Sequence, residues 1–321
     1  MKPAPFAFVR PQGLQHALEA LAADEGAKVL AGGQSLVPLL NMRLAAPTTL
    51  VDINGLPALD EVLVSDEGVE VPALARQADV LASTAVRRVQ PLLGLALAHV
   101  AHATIRNRGT VVGSLVHADA AAELPMVLAL LGGHLRVAST AGTREIPADE
   151  LFAGPLESTV RHDEIAVSAF FPALGADEGV AFAELARRHG DYAMCGAGAL
   201  VRVEGDRVTR AWVAYLSVCD VPTVVDVELD DVGAEALAAA AERALGRLDP
   251  VGDVHASADY RAHLARVLTV RVLREAYDDA RARAVGGRAD PLGGRADPLG
   301  GRADPLGGRA DPLGGRAESR P

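Results

Sequence analysis

The sequence predicts an α+β protein of two domains, 1–175 and 176–285, with a repeat tail over 286–321. Three observations lead to this. Helical and strand patterns alternate through the first half, and after Pro172 they give way to consecutive strands followed by two helices. The chain has 321 residues, 50% of them hydrophobic, which is enough to build more than one buried core. The boundary falls between Ala173 and Glu178.

The elements follow in order along the chain. Leu14, Leu18 and Leu21 recur at helical spacing, and Lys28-Val29-Leu30 is a short apolar strand running into Gly32-Gly33. Ser35 stands at the N-cap position of a helix over Leu36 to Leu44, with Pro38 in the first turn, where its missing N–H costs little. Thr49 to Ile53 and Val69 to Ala73 read as strands, and Arg76 to Leu81 and Leu92 to His102 as helices. Glu123 to Leu131 suits a buried helix, and His134 to Ser139 and Ile165 to Phe171 suit strands. In the second domain Val180 to Leu185, Gly198 to Glu204 and Val208 to Val218 read as strands, with Gly205-Asp206 as a hairpin signal. Ala234 to Leu245 and Ala258 to Ala284 complete it as helices. From Gly286 the heptad GGRADPL occurs four times, with an incomplete fifth copy. Two Gly and one Pro per copy prevent a lasting helix, and Leu is its one large apolar side chain, so a disordered tail is expected.

Charge and cysteine usage narrow the function. The formal net charge is -11, and the tail carries six Arg against five acidic groups, so the rest of the chain is more acidic still. Such a body repels nucleic acid, which is set aside as a partner. Cys195 and Cys219 are the two cysteines, too few for an iron-sulfur cluster or a structural zinc, so any such centre belongs to another polypeptide. His99 and His102 lie three apart without a third ligand nearby, and no metal site is expected. No apolar run reaches the length of a signal sequence or a membrane span, which predicts a cytoplasmic protein with no transmembrane segment.

Two segments carry candidate chemistry. Ala31-Gly32-Gly33-Gln34-Ser35-Leu36 joins a strand to a helix through a glycine turn, an arrangement that offers backbone N–H groups to a phosphate at close range. It is neither a G-x-G-x-x-G fingerprint nor a Walker A loop. The second segment is longer and more specific: IRNRGTVVGSLVHADAAAELP, from Ile105 to Pro125, combines hydroxyls, glycine and small residues and ends in Glu123 at a helix start. No Ser-His-Asp or Cys-His constellation is present, and no catalytic residue is assigned.

Together, AGGQSLVPLLNMRLA and IRNRGTVVGSLVHADAAAELP resemble the FAD-binding medium subunit of the molybdenum hydroxylases, the group that includes bacterial carbon monoxide dehydrogenase and xanthine dehydrogenase. FAGPLEST from Phe152 and RHGDYA from Arg188 resemble further stretches of it. The resemblance covers Pro5 to Ala284. It implies a two-part FAD-binding domain of the vanillyl-alcohol-oxidase (PCMH) type, followed by a small sheet-plus-helices C-terminal domain. It also implies non-covalent FAD, with Ala31, Gly32, Gly33, Gln34, Ser35 and Leu36, together with Thr110, Val111, Gly113 and Ser114, around the pyrophosphate. Glu123 would contact the dinucleotide, and Tyr192 would lie near the isoalloxazine. The molybdenum cofactor and 2Fe-2S clusters would sit on a large and a small partner subunit, in a dimer of heterotrimers that delivers electrons to an external acceptor. The residues themselves leave two alternatives open: a stand-alone FAD-dependent oxidase or dehydrogenase of the same fold, and a cofactor-poor assembly subunit.

One departure matters. Where the family has two glycines this chain has Val112-Gly113, and Val112 tolerates positive φ poorly. The sequence predicts an extended Val112 facing away from the cofactor.

Overall fold

The computed structural model describes residues 2–229 and 231–286, so the repeats beyond Gly286 lie outside the described residues. The first elements are β1 (Ala7–Val9), α1 (Leu14–Ala22), β2 (Lys28–Leu30), α2 (Leu36–Met42) and β3 (Thr49–Asp52). The strands form a parallel sheet in the order β1-β3-β2, with Val29 paired to Val51, and α1 and α2 serve as the crossovers that parallel pairing requires. The leucine spacing read in α1 is its buried face: Leu18 and Leu21 pack with Val51 and Ile53, and the cluster extends to Ala138 and Ile165.

Next come β4 (Leu63–Val64), β5 (Gly68–Pro72), α3 (Gln77–Ala82), α4 (Thr84–Val89), α5 (Pro91–Leu97), α6 (Ala103–Arg106), α7 (Val111–His117) and α8 (Glu123–Leu131). They are followed by β6 (His134–Ser139), β7 (Gly142–Pro147), α9 (Ala148–Leu151), β8 (Phe152–Gly154), β9 (Glu157–Ser158) and β10 (Ile165–Pro172). A five-stranded antiparallel sheet, β4-β5-β10-β6-β7, carries these helices over one large core.

Two sequence readings change here. The helix expected to run to His102 stops at Leu97, because Ala101 takes a left-handed conformation (φ 42°) and the buried Arg106 guanidinium donates to the carbonyls of Val100 and Ala101 at 2.7 and 3.1 Å. Val112, expected to be extended, lies in the first turn of α7, with Thr110 as its N-cap.

The last part contains β11 (Glu178–Ala186), β12 (Ala193–Glu204), β13 (Arg207–Leu216), β14 (Thr223–Asp226), α10 (Ala234–Leu245) and α11 (Ala258–Gly286). The strands form an antiparallel meander in chain order, and strict alternation sends their side chains to two different cores. Ala181, Ala183, Val201 and Tyr215 face α10 and α11, whereas Phe182, Leu200, Ala214 and Leu216 join the core that holds α5 and α8. Gly179 permits close docking of α11, since a Cβ there would lie 2.1 Å from the Ala280 nitrogen. Tyr215 and Thr269 share a buried hydroxyl hydrogen bond of 2.5 Å between β13 and α11. Among the described residues no helix is long and apolar enough to cross a membrane.

Candidate functional site

The first loop leaves β2 at Leu30 and turns through Gly33, whose φ of +72° suits glycine. Gln34 Nε2 donates to the Gly32 carbonyl at 3.0 Å, and the Val37 N–H closes the turn on the Gly33 carbonyl at 3.0 Å. Ser35 occupies the N-cap position of α2, yet its side chain makes no capping hydrogen bond, so its hydroxyl is not consumed by the helix. Among the described residues, no acceptor takes the N–H groups of Gly33, Gln34 or Ser35. Donors of this kind suit an anionic ligand.

In the second segment Thr110 caps α7: its Oγ1 accepts the Gly113 N–H at 3.0 Å. The approach is close enough that a Cβ on Gly113 would sit 2.6 Å from that oxygen. Val111 and Val112 are buried in the core, and Ser114 is half-buried. Val112 is therefore helical rather than extended, with its side chain directed inward, away from any phosphate path along the helix start.

The two loops meet backbone to backbone. A Cβ on Gly32 would lie 2.4 Å from the Arg108 carbonyl oxygen and 2.9 Å from the Gly109 Cα. Arg76, just before α3, donates from Nη1 to that same Arg108 carbonyl at 2.7 Å and from Nη2 to Asn54 Oδ1 at 2.8 Å. Asn54 in turn donates to the Ala31 carbonyl at 2.8 Å. Gly32 thus packs its backbone against Arg108 and Gly109, more than seventy residues further along the chain.

A second cluster lies where the meander meets α8. Glu123 opens α8, and its carboxyl pKa is pushed up to about 8, first by burial and then by the negative charge of Glu184, with Asp119 adding to it. Glu184 reaches His99 Nδ1 with one oxygen at 3.2 Å, while its buried Oε2 has no partner. Tyr192 is 65% exposed and lines the same cavity as Asp119. Desolvation of its hydroxyl, followed by the charges of Asp119 and Glu123, raises its pKa. This cavity, of about 320 Å³, is lined by Asp119, Tyr192, Ser217, Cys219 and Arg261 among others. Ser217, in a left-handed conformation, ties the meander to the segment before α8 by donating its N–H to the Ala120 carbonyl at 2.8 Å.

Residues 4–174 match the family model described as the FAD binding domain in molybdopterin dehydrogenase, and residues 180–276 match the CO dehydrogenase flavoprotein C-terminal domain. The chain belongs to the FAD-binding subunit family of the molybdenum hydroxylases. Among curated members, the 6-hydroxypseudooxynicotine dehydrogenase complex subunit alpha of Paenarthrobacter nicotinovorans is 41% identical over 88% of this chain and 97% of its own length. The nicotine 6-hydroxylase medium subunit of the same organism is 35% identical over 84% and 96%. Among solved structures, a chain of quinoline 2-oxidoreductase from Pseudomonas putida 86 superposes with a TM-score of 0.82 at 36% identity, covering 88% of this chain and all of that one.

As a member of this family the chain is an FAD-binding component of an oxidoreductase, and its own geometry suits an anionic cofactor: a glycine turn packed against a second segment and carrying N–H groups that, among the described residues, have no acceptor. Gly32 of the first segment meets Arg108 and Gly109, which lead directly into Thr110 to Ser114. Glu123 and Tyr192 lie apart from that junction, near each other and near Asp119. Sequence reasoning missed Asn54, Arg76 and Glu184. For Glu184 a signal existed: it is a charged residue on the alternation face of β11 that carries the buried Phe182. Asn54 and Arg76 give no local sign.

Proposed function

We propose that this chain is the electron-transfer subunit of a molybdenum hydroxylase complex. FAD held by this chain would supply the redox chemistry that carries electrons from 2Fe-2S clusters on a small partner to an external acceptor. Substrate is oxidised at the molybdenum cofactor of a large partner subunit. The observation that supports the reading is the backbone contact of Gly32 with Arg108 and Gly109, which brings two separate turns together. The division into an FAD-binding domain over 1–175 and a C-terminal domain over 176–285, the dimer of heterotrimers and a cytoplasmic location belong to the same proposal.

Bound non-covalently, FAD supplies the redox chemistry. The chain's residues bind and orient it. Backbone N–H groups of Gly33, Gln34 and Ser35, the Ser35 hydroxyl, and the start of α7 at Thr110, Val111, Gly113 and Ser114 hold the pyrophosphate. Ala31, Gly32 and Leu36 shape the turn. Glu123, protonated at neutral pH with a pKa of about 8, would donate a hydrogen bond toward the dinucleotide without adding a negative charge. Tyr192 lines the neighbouring cavity with Asp119 and would lie near the isoalloxazine.

The test is native purification of the complex, with identification of co-purifying chains and assays for FAD, iron and molybdenum. Co-purification of two further chains with both metals and about one FAD per copy is expected. A chain that runs alone and bleaches its flavin on adding substrate refutes the subunit reading. A protein that stays colourless after reconstitution with FAD refutes flavin binding altogether.

A further inference from the structure

We propose that Arg76 and Asn54 form a single positioning unit that sets the spacing between the two pyrophosphate loops, an inference that rests on those loops being the FAD site. Asn54 is fixed from both ends. Its side-chain nitrogen donates to Asp52 Oδ1 at 2.7 Å, the Ala31 carbonyl at 2.8 Å and the Leu30 carbonyl at 3.4 Å, while Asp52 Oδ1 also accepts the Asn54 N–H at 3.1 Å. Three oxygens around the nitrogen leave one orientation for the amide, with Oδ1 directed at Arg76. Arg76 uses the two arms of its guanidinium on neutral acceptors, Asn54 Oδ1 and the Arg108 carbonyl. An unbroken path therefore runs from the Ala31 carbonyl in the first loop to the Arg108 carbonyl in the second, and that carbonyl is the atom that abuts Gly32.

The backbone holds the same junction. Arg76 pairs with Thr110 as an isolated bridge, and the Gln77 N–H donates to the Gly109 carbonyl at 2.9 Å. These bonds anchor the main chain of α3 to the second loop, leaving the side chains of Arg76 and Asn54 to reach the first. The guanidinium is half-buried, and burial followed by the positive charge of Arg108 holds its pKa below the usual arginine value. Asp79 and Asp60 act in the opposite sense, so the guanidinium remains a cation beside the junction. The bridge thus serves a doubly charged pyrophosphate both by geometry and by charge.

Lysine separates the two contributions. It keeps the charge, but its single ammonium on a flexible stem does not reproduce the planar fork that spans Asn54 and Arg108. The experiment uses the full chain stripped of flavin and titrated with FAD at a temperature where every variant is folded, so that loss of global stability leaves Kd unchanged. Arg76→Lys and Asn54→Ala should each weaken FAD by about tenfold or more, with little further loss in the double variant because they act through one path. Tyr215→Phe, which loses a buried hydrogen bond in the other core, is the control: its melting temperature falls while its FAD affinity stays at the wild-type value. Wild-type protein that fails to bind FAD overturns the site assignment itself. Wild-type binding with Arg76→Lys or Asn54→Ala within twofold of it overturns the positioning unit alone, as does full additivity in the double variant. If one single variant fails to fold, the other carries the same decision.

Discussion

Replacing Gly32 with alanine is the most direct test of the junction between the two turns. The added Cβ would stand 2.4 Å from the Arg108 oxygen and 2.9 Å from the Gly109 Cα, both backbone atoms that cannot rotate aside. Ordinary contact distances are about 3.5 Å, so the loops must separate by about 1 Å. That movement also stretches the 2.7 Å bond from Arg76 to the same carbonyl. Overpacking of this kind costs about 1–3 kcal/mol, and because it falls on the relation between the two loops, most of it should appear in ligand binding. At about 1.4 kcal/mol per decade, FAD affinity should drop by roughly tenfold to a hundredfold. The assay is titration of the flavin-free chain with FAD, followed by flavin fluorescence, beside the visible-absorbance ratio of flavin to protein as purified. Gly33→Ala provides a contrast: it pays about 1 kcal/mol for its positive φ, but its nearest obstacles, Val37 Cγ2 at 3.2 Å and Leu30 Cδ1 at 3.3 Å, are side-chain ends. Gly13→Ala, with open space around it and an extended φ of -166°, should change nothing. If Gly32→Ala binds FAD within twofold of wild type, the two loops do not act together on the cofactor.

Three further outcomes are expected. Val112→Gly should destabilise the chain by about 2–4 kcal/mol, through lost burial and helix propensity, without tightening FAD; a gain in affinity would show that position 112 faces the phosphates. In the folded chain Glu123, with its pKa of about 8 against an ordinary 4.5, retains a proton that the unfolded chain releases, so its contribution to stability is complete below pH 4.5 and is lost as pH rises through 8. Urea unfolding should therefore show the advantage of Glu123→Gln over wild type growing between pH 5 and 8 and then levelling, and a constant difference would contradict the burial of Glu123. In native protein iodoacetamide should modify the half-buried Cys219 while sparing Cys195, whose thiol is buried and pushed up to about 12; labelling of Cys195 first would contradict the packing of β12.

What the sequence made legible were the elements whose pattern and boundaries agree. Glu123 to Leu131 and His134 to Ser139 are observed as read, because a continuous apolar run ends at Gly132, where the chain turns left-handed. The strand, glycine turn and helix of the first loop were equally readable. The start of α7 was not, since Val111, Val112 and Gly113 are poor helix formers. It is the burial of Val111, Val112 and Leu115 that imposes the helix, with Thr110 supplying the cap. Strands β1, β4 and β14 are four residues or fewer, too short for an alternation to declare itself.

The candidate site was half legible for a related reason. A glycine turn and a cap are local and leave local marks, whereas Asn54 and Arg76 acquire their roles from partners 22 to 32 positions away. The glycine doublet shows the difference within two adjacent residues. Gly33 is required by its own backbone, which turns at φ +72°, and a strand-to-helix turn announces that need in sequence. Gly32 has no such φ. It is required because Arg108, far along the chain, brings a carbonyl to where a side chain would be. One glycine answers to the turn and its neighbour to the tertiary fold, so a doublet that looks like mere flexibility is two independent constraints. The second of them marks where the two turns meet.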